Sequence, residues 1–110
     1  MKQYVVDEIR LEDFQKLKQH LNEFVEADTL DGLYWIKIED ELLDDTQKKH
    51  TDCKPFYLAI ELEENRLSCE LLVRSRNRLR CDCIRYVNNT QLNWAVGFVD
   101  NLFEQLSIIT

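Results

Sequence analysis

The sequence predicts an α+β domain: an antiparallel sheet of about four strands, one strand followed by a three-strand meander, with an N-terminal and a C-terminal helix packed on one face. Three observations carry this. LEDFQKLKQHLNEFVEA repeats apolar residues every three or four positions, FYLAIEL and RLSCELLV alternate, and NNTQLNWAVGFVDNLFEQLSII returns to the helical spacing. The 110 residues read as one domain spanning 1–110, with 45% hydrophobic residues and only two glycines and one proline, a composition that supports a packed core.

In the first helix Leu11, Phe14, Leu17, Leu21 and Phe24 share one face. Asp31-Gly32 ends the pattern. GLYWIKIED then reads as a strand with Tyr34, Ile36 and Ile38 on one side and Trp35 and Lys37 on the other; a further strand within residues 4–8 is left open. EDELLDDTQKKHTDCK, residues 39–54, is the most polar stretch and reads as a short helix and loop closed by Pro55.

Phe56, Leu58, Ile60 and Leu62 then face one way, and EENR makes a turn. Pairing Leu62 with Leu67 sets Ile60 opposite Cys69 and Leu58 opposite Leu71, which makes Cys69 a small apolar core residue. The last helix takes its cap from Asn89 or Thr90 and presents Leu92, Val96, Val99, Phe103 and Leu106, widened by Trp94, Phe98 and Leu102. Gly97 within it points to a close approach of another backbone.

Charge is unevenly spread. The chain has a formal charge of -7, yet Arg74, Arg76, Arg78, Arg80 and Arg85 fall within twelve residues that hold one acid, Asp82. This stretch, RSRNRLRCDC onward, also holds Cys81 and Cys83. Its register decides which side chains face the core, because a slip of one residue inverts the faces. Pairing Ser75 with Leu79 would bury Cys81, Cys83 and Arg85 and set Arg74 against Arg80. Pairing Arg76 with Leu79 across an Asn77-Arg78 turn avoids both costs and is preferred. It directs Ile84 and Tyr86 inward and places Cys81 and Cys83 on the outer face, with Arg85 opposite Glu70.

That outer face mixes Tyr57, Leu72 and Val87 with arginines, a composition that interfaces favour. The competing explanation is that residues 39–54 fold across it, their acids answering the arginines and Leu42 and Leu43 covering the apolar spots. The sequence thus points to a small cytoplasmic binding or regulatory domain with no enzymatic activity. It would act by contact with a protein partner or a second copy of itself through Arg74, Arg76, Arg78, Tyr57, Leu72 and Arg85. The acidic balance disfavours nucleic acid, and no apolar run suits a signal peptide or a membrane span.

No cofactor is assigned on this reading. The alternative is a zinc-binding or thiol redox-responsive protein using Cys81 and Cys83. His50 and Cys53 complete a ligand set that suits zinc, but HxxC and CxC are not paired CxxC knuckles. In a regular sheet Cys53 would also lie more than about 10 Å from Cys81 unless the chain folds back. Catalysis lacks a convergent set of groups: His20 sits on the polar side of a helix, His50 lies among charges, and phosphate-loop, dinucleotide and GxSxG patterns are missing.

Overall fold

A computed structural model describes residues 2–78 and 80–109. Among the described residues the architecture is α+β, three helices with a seven-strand antiparallel sheet, so the expected count of about four strands was only roughly right. The strands are β1 (Gln3–Val6), β2 (Glu26–Ala27), β3 (Leu33–Lys37), β4 (Phe56–Glu63), β5 (Arg66–Glu70), β6 (Leu72–Ser75) and β7 (Arg85–Tyr86). The helices are α1 (Leu11–Phe24), α2 (Asp45–Lys49) and α3 (Asn89–Gln105). The extra strands are short pieces at the sheet's borders, where a single-sequence pattern carries least signal.

Tyr34 and Ile36 pair in register with Ile60 and Leu58 of β4, the Ile38 N–H donates to the Phe56 carbonyl at 2.9 Å, and all of these side chains are buried on one face. That face meets Leu17 and Leu21 of α1 and Ala95, Val99, Leu102 and Phe103 of α3 in a single core. Leu11 and Phe24, at the ends of α1, are exposed rather than part of the buried stripe. At the turn into β3, Gly32 has φ +84°, and a Cβ there would come within 2.7 Å of the Leu62 carbonyl oxygen; glycine is required on both counts.

β4 pairs with β5 as expected, Leu62 with Leu67 and Ile60 with Cys69, and Cys69 is fully buried. Beyond Glu70 the register departs. Phe56 pairs with Ser75 and Tyr57 with Arg74, two residues further along than continuous pairing gives, so Leu71 does not face Leu58 across the ladder. A shift of two preserves the alternation, which is why Val73 and Ser75 still face inward. The irregularity at Leu71 leaves no orphan backbone: its N–H donates to the Lys2 carbonyl and its carbonyl accepts from the Val87 N–H, each at 3.0 Å.

α3 buries Gln91, Ala95, Val99, Leu102 and Phe103; Val99, Leu102 and Phe103 lie as expected, whereas in the first half Gln91 and Ala95 take the places expected for Leu92 and Val96, which are half-buried. Its cap is Asn88, not Asn89 or Thr90. Asn88 Oδ1 accepts from the Gln91 N–H at 2.8 Å while Gln91 Oε1 accepts from the Asn88 N–H at 3.1 Å. The Gln91 amide also donates to the Leu42 carbonyl and to Gln47 Oε1, both at 2.9 Å, and this polar anchor sets the rotation of the helix.

Gly97 does not face another backbone: a Cβ there would meet nothing within 4 Å. Gly97→Ala is therefore expected to stabilise the protein by about 1 kcal/mol in chemical denaturation, the helix-propensity difference alone. A loss of stability would mean that α3 packs more tightly at this point than described.

Candidate metal centre

The arginine stretch does not form a tight hairpin. β7 pairs with β6 through Leu72 with Tyr86 and Val73 with Arg85, and residues 76–78 and 80–84 lie between them outside any strand. The expected Arg76–Leu79 pair involves Leu79, which lies outside the described residues. The residues around it show why the chain does not turn back at Asn77. The Ser75 hydroxyl accepts from the Asn77 and Arg78 N–H groups at 3.2 Å and donates to the Cys53 carbonyl at 2.5 Å, while the Asn77 amide donates to the Lys54 carbonyl at 2.6 Å. These bonds tie the start of the loop to residues 53–54. Arginine at the second turn position also gives a two-residue hairpin no help, since that geometry needs positive φ.

The consequences reverse part of the expected facing. Tyr86 is 46% exposed on the side of Leu72, with the Lys2 ammonium 5.1 Å from its ring centre, while Ile84 is half-buried against the core. Cys83 is not on the outer face but fully buried, and Cys81 is half-buried against the core. Arg85 does not face Glu70. Its guanidinium lies 3.7 Å from Asp44 and donates to the Asp82 carbonyl at 3.0 Å.

Residues 39–54 form the other wall. After a 3-10 turn at Asp40–Leu42, Asp44 caps α2 in a reciprocal box with Gln47, and a second 3-10 turn, Thr51–Cys53, brings the chain to β4. Its buried side chains, Leu43, Gln47 and Cys53, join the inner region of the structure rather than spreading over Tyr57 and Leu72, which stay outside the core cluster. Its acids do answer arginines at the loop: Asp52 pairs with Arg78 at 3.0 Å as Asp44 does with Arg85.

The two walls bring four ligand atoms together. Those of His50, Cys53, Cys81 and Cys83 all lie within 4.8 Å of one another. His50 Nδ1 is 2.9 Å from Cys81 Sγ, and Cys53 Sγ is 3.7 Å from Cys81 Sγ. The chain folds back between Lys54 and the loop, which removes the separation of more than about 10 Å expected from regular strand spacing. A zinc tetrahedron with Zn–S bonds of about 2.3 Å has sulfur–sulfur edges of about 3.8 Å, close to the Cys53–Cys81 distance. All four cysteines are free thiols.

The positions are held from behind. The Gln47 amide donates to the Cys83 carbonyl at 3.0 Å, the Cys53 N–H to the His50 carbonyl at 3.0 Å and the Ile84 N–H to the Cys81 carbonyl at 3.0 Å. Such supports fix the segments that carry these four side chains. Gln47 and Gln91, the buried pair that joins this loop to α3, were not singled out in the sequence, although Asp44-x-x-Gln47 and Asn88-x-x-Gln91 both have the spacing of a capping box.

The thiols differ sharply. Cys81 is lowered to about 7, first by the Cys83 backbone N–H and then by the Cys83 thiol, His50 and Cys53, which together favour its thiolate against the burial that opposes it. Burial pushes Cys83 and Cys53 up, and it pushes Cys69, which lies outside the cluster, up to about 12. The cluster thus sets one thiol whose ionisation is favoured beside two whose ionisation burial opposes.

The remaining candidate residues lie outside the cluster. Arg74 of β6 is held by Glu70, the last residue of β5, at 2.5 and 3.3 Å. Arg76 pairs with Glu26 and lies 5.4 Å from the Trp35 ring and 5.7 Å from that of Tyr57. Arg78 and Arg80, with Lys49 and Asp52, line a cleft that opens onto His50, Cys53 and Cys81. Nothing in the described residues indicates catalysis. No helix among them is long and apolar enough to cross a membrane. Protein-family models, curated proteins and solved structures give no match to this chain.

Proposed function

We propose that this protein is a small zinc-binding domain that acts by contact, not by catalysis, and in which the metal fixes the arginine loop against the body of the fold. The observation that carries the reading is the convergence of His50, Cys53, Cys81 and Cys83 within 4.8 Å, from two segments that the sheet alone does not join. Three sulfurs and one imidazole nitrogen suit zinc and not magnesium or calcium, which take oxygen ligands. Four protein ligands complete a tetrahedron and leave no open position for substrate, which marks a structural role.

The charge balance agrees. Three thiolates and one Zn²⁺ leave a net negative centre, and Lys49, Arg78 and Arg80 stand at its open side. This answers why an acidic chain gathers cations beside its thiols. With the loop fixed, Arg76 on Trp35 and Tyr57, together with half-buried Leu72 and exposed Tyr86, forms a surface of the aromatic and arginine composition that protein interfaces use. A protein partner or a second copy of the chain would bind there.

Metal analysis of protein produced in zinc-containing medium and purified without chelator tests the reading. The expected result is one zinc per chain, lost in a Cys53→Ser, Cys83→Ser double variant and retained in Cys69→Ala. A stoichiometry near zero in the wild-type protein would overturn it.

A further inference from the structure

We propose that the zinc centre is also an oxidation sensor, in which a peroxide links Cys53 to Cys81 as a disulfide and releases the metal. This rests on the zinc reading and adds its regulation. Only two of the four ligands are half-exposed, His50 and Cys81; Cys53 is 2% exposed and Cys83 fully buried. Cys81 is thus the sulfur that a small oxidant meets first, at the cleft lined by Lys49, Arg78 and Arg80.

The partner sulfur is chosen by geometry. Cys53 Sγ lies 3.7 Å from Cys81 Sγ and must approach to about 2.05 Å. Cys53 ends a 3-10 turn and Cys81 lies in the irregular segment 80–84, so neither residue belongs to a strand ladder that the movement would break.

The chemistry balances in two steps. The Cys81 thiolate attacks one peroxide oxygen, the O–O bond breaks, and a sulfenic acid and hydroxide form. The Cys53 thiolate then attacks Cys81 Sγ, the S–O bond breaks, and a second hydroxide leaves. The two sulfurs lose two electrons, peroxide gains them, and solvent protons convert both hydroxides to water. Zinc is left with His50 and Cys83, half its ligand set, and dissociates. The arginine loop is then tied covalently to the Thr51–Cys53 turn instead of through the ion.

The experiment exposes zinc-loaded protein to excess hydrogen peroxide, with a colorimetric zinc indicator in solution and peptide mass mapping of the product. One zinc released per disulfide, a Cys53–Cys81 crosslinked peptide and unmodified Cys69 are expected. In Cys53→Ser the sulfenic acid at Cys81 should persist and be trapped by dimedone. Zinc retained after oxidant treatment, or a Cys81–Cys83 or intermolecular disulfide as the main product, would overturn the proposal. Zinc missing before oxidant is added would instead sink the metal reading, and the same mapping on metal-free protein would still decide whether Cys53 and Cys81 are the pair.

Discussion

Chelation of zinc is expected to lower the thermal midpoint of this protein by about 15 °C. A ligand that binds only the folded state at a thousand times its Kd contributes about 4 kcal/mol, and each kcal/mol moves the midpoint of a domain this size by roughly 4 °C. The fold should survive the loss. The core of Leu17, Leu21, Tyr34, Phe56, Leu58, Ile60 and Val99 is buried without help from the metal, and the emptied thiols keep hydrogen-bonding partners in one another and in His50. The sign of the pH dependence follows from the thiols. Cys53, Cys69 and Cys83, raised by burial, contribute stability that is full below the unfolded-state value and is lost as pH rises beyond it. Cys81 instead sits at about 7 in the fold, below its ordinary value, so its thiolate contributes stability that is full above the unfolded-state value and is lost as pH falls through 7. Metal binding needs all three thiolates, so the zinc-dependent part of the midpoint should shrink over the same descent. Scanning calorimetry with and without chelator at several pH values reads both effects. A midpoint indifferent to chelator would remove the structural role of the metal.

Gln47→Ala is expected to cost about 4 kcal/mol and to weaken zinc binding, although residue 47 is no ligand. Its side chain is fully buried and makes three bonds: its amide to the Cys83 carbonyl, and its oxygen from the Asp44 N–H and from the Gln91 amide. Truncation removes all three at once and leaves a cavity between α2, α3 and the cysteine loop; each buried group left unsatisfied costs about 1–3 kcal/mol. Water entering the cavity would recover part of this. Asp44→Ala is the control, since it removes the α2 cap at a cost of only about 1 kcal/mol and leaves the Cys83 carbonyl held. Equal effects of the two variants in urea denaturation would show that Gln47 acts only as a cap.

The fold was readable where one physical pattern dominated a segment. Leu17 and Leu21, the even positions of β4 and the Ile60–Cys69 pair follow from spacing alone, because a half-buried helix or strand must repeat its apolar residues at its own period. Val99, Leu102 and Phe103 of α3 are buried as expected, but the first half of its face was displaced by one residue because a glutamine, Gln91, takes a buried position through its hydrogen bonds, and apolar counting has no way to place it. The candidate metal centre was harder still. His50, Cys53, Cys81 and Cys83 were all candidates, but a regular hairpin separates them, and the departure from regularity rests on Ser75 and Asn77 bonding to residues 53–54 across more than twenty positions. Long-range side-chain bonds of this kind leave no periodic trace. What the sequence did hold was a mismatch: Asn77-Arg78 is a poor two-residue turn, and four metal-ligand residues lay in the two segments with the least regular pattern.

X-ray absorption at the zinc edge tests the central claim, that these two segments close on one ion. The account predicts about three sulfurs near 2.3 Å and one nitrogen near 2.0–2.1 Å, with the nitrogen replaced by an oxygen in His50→Ala. A shell of oxygens, or one with fewer than three sulfurs in the wild-type protein, would contradict it.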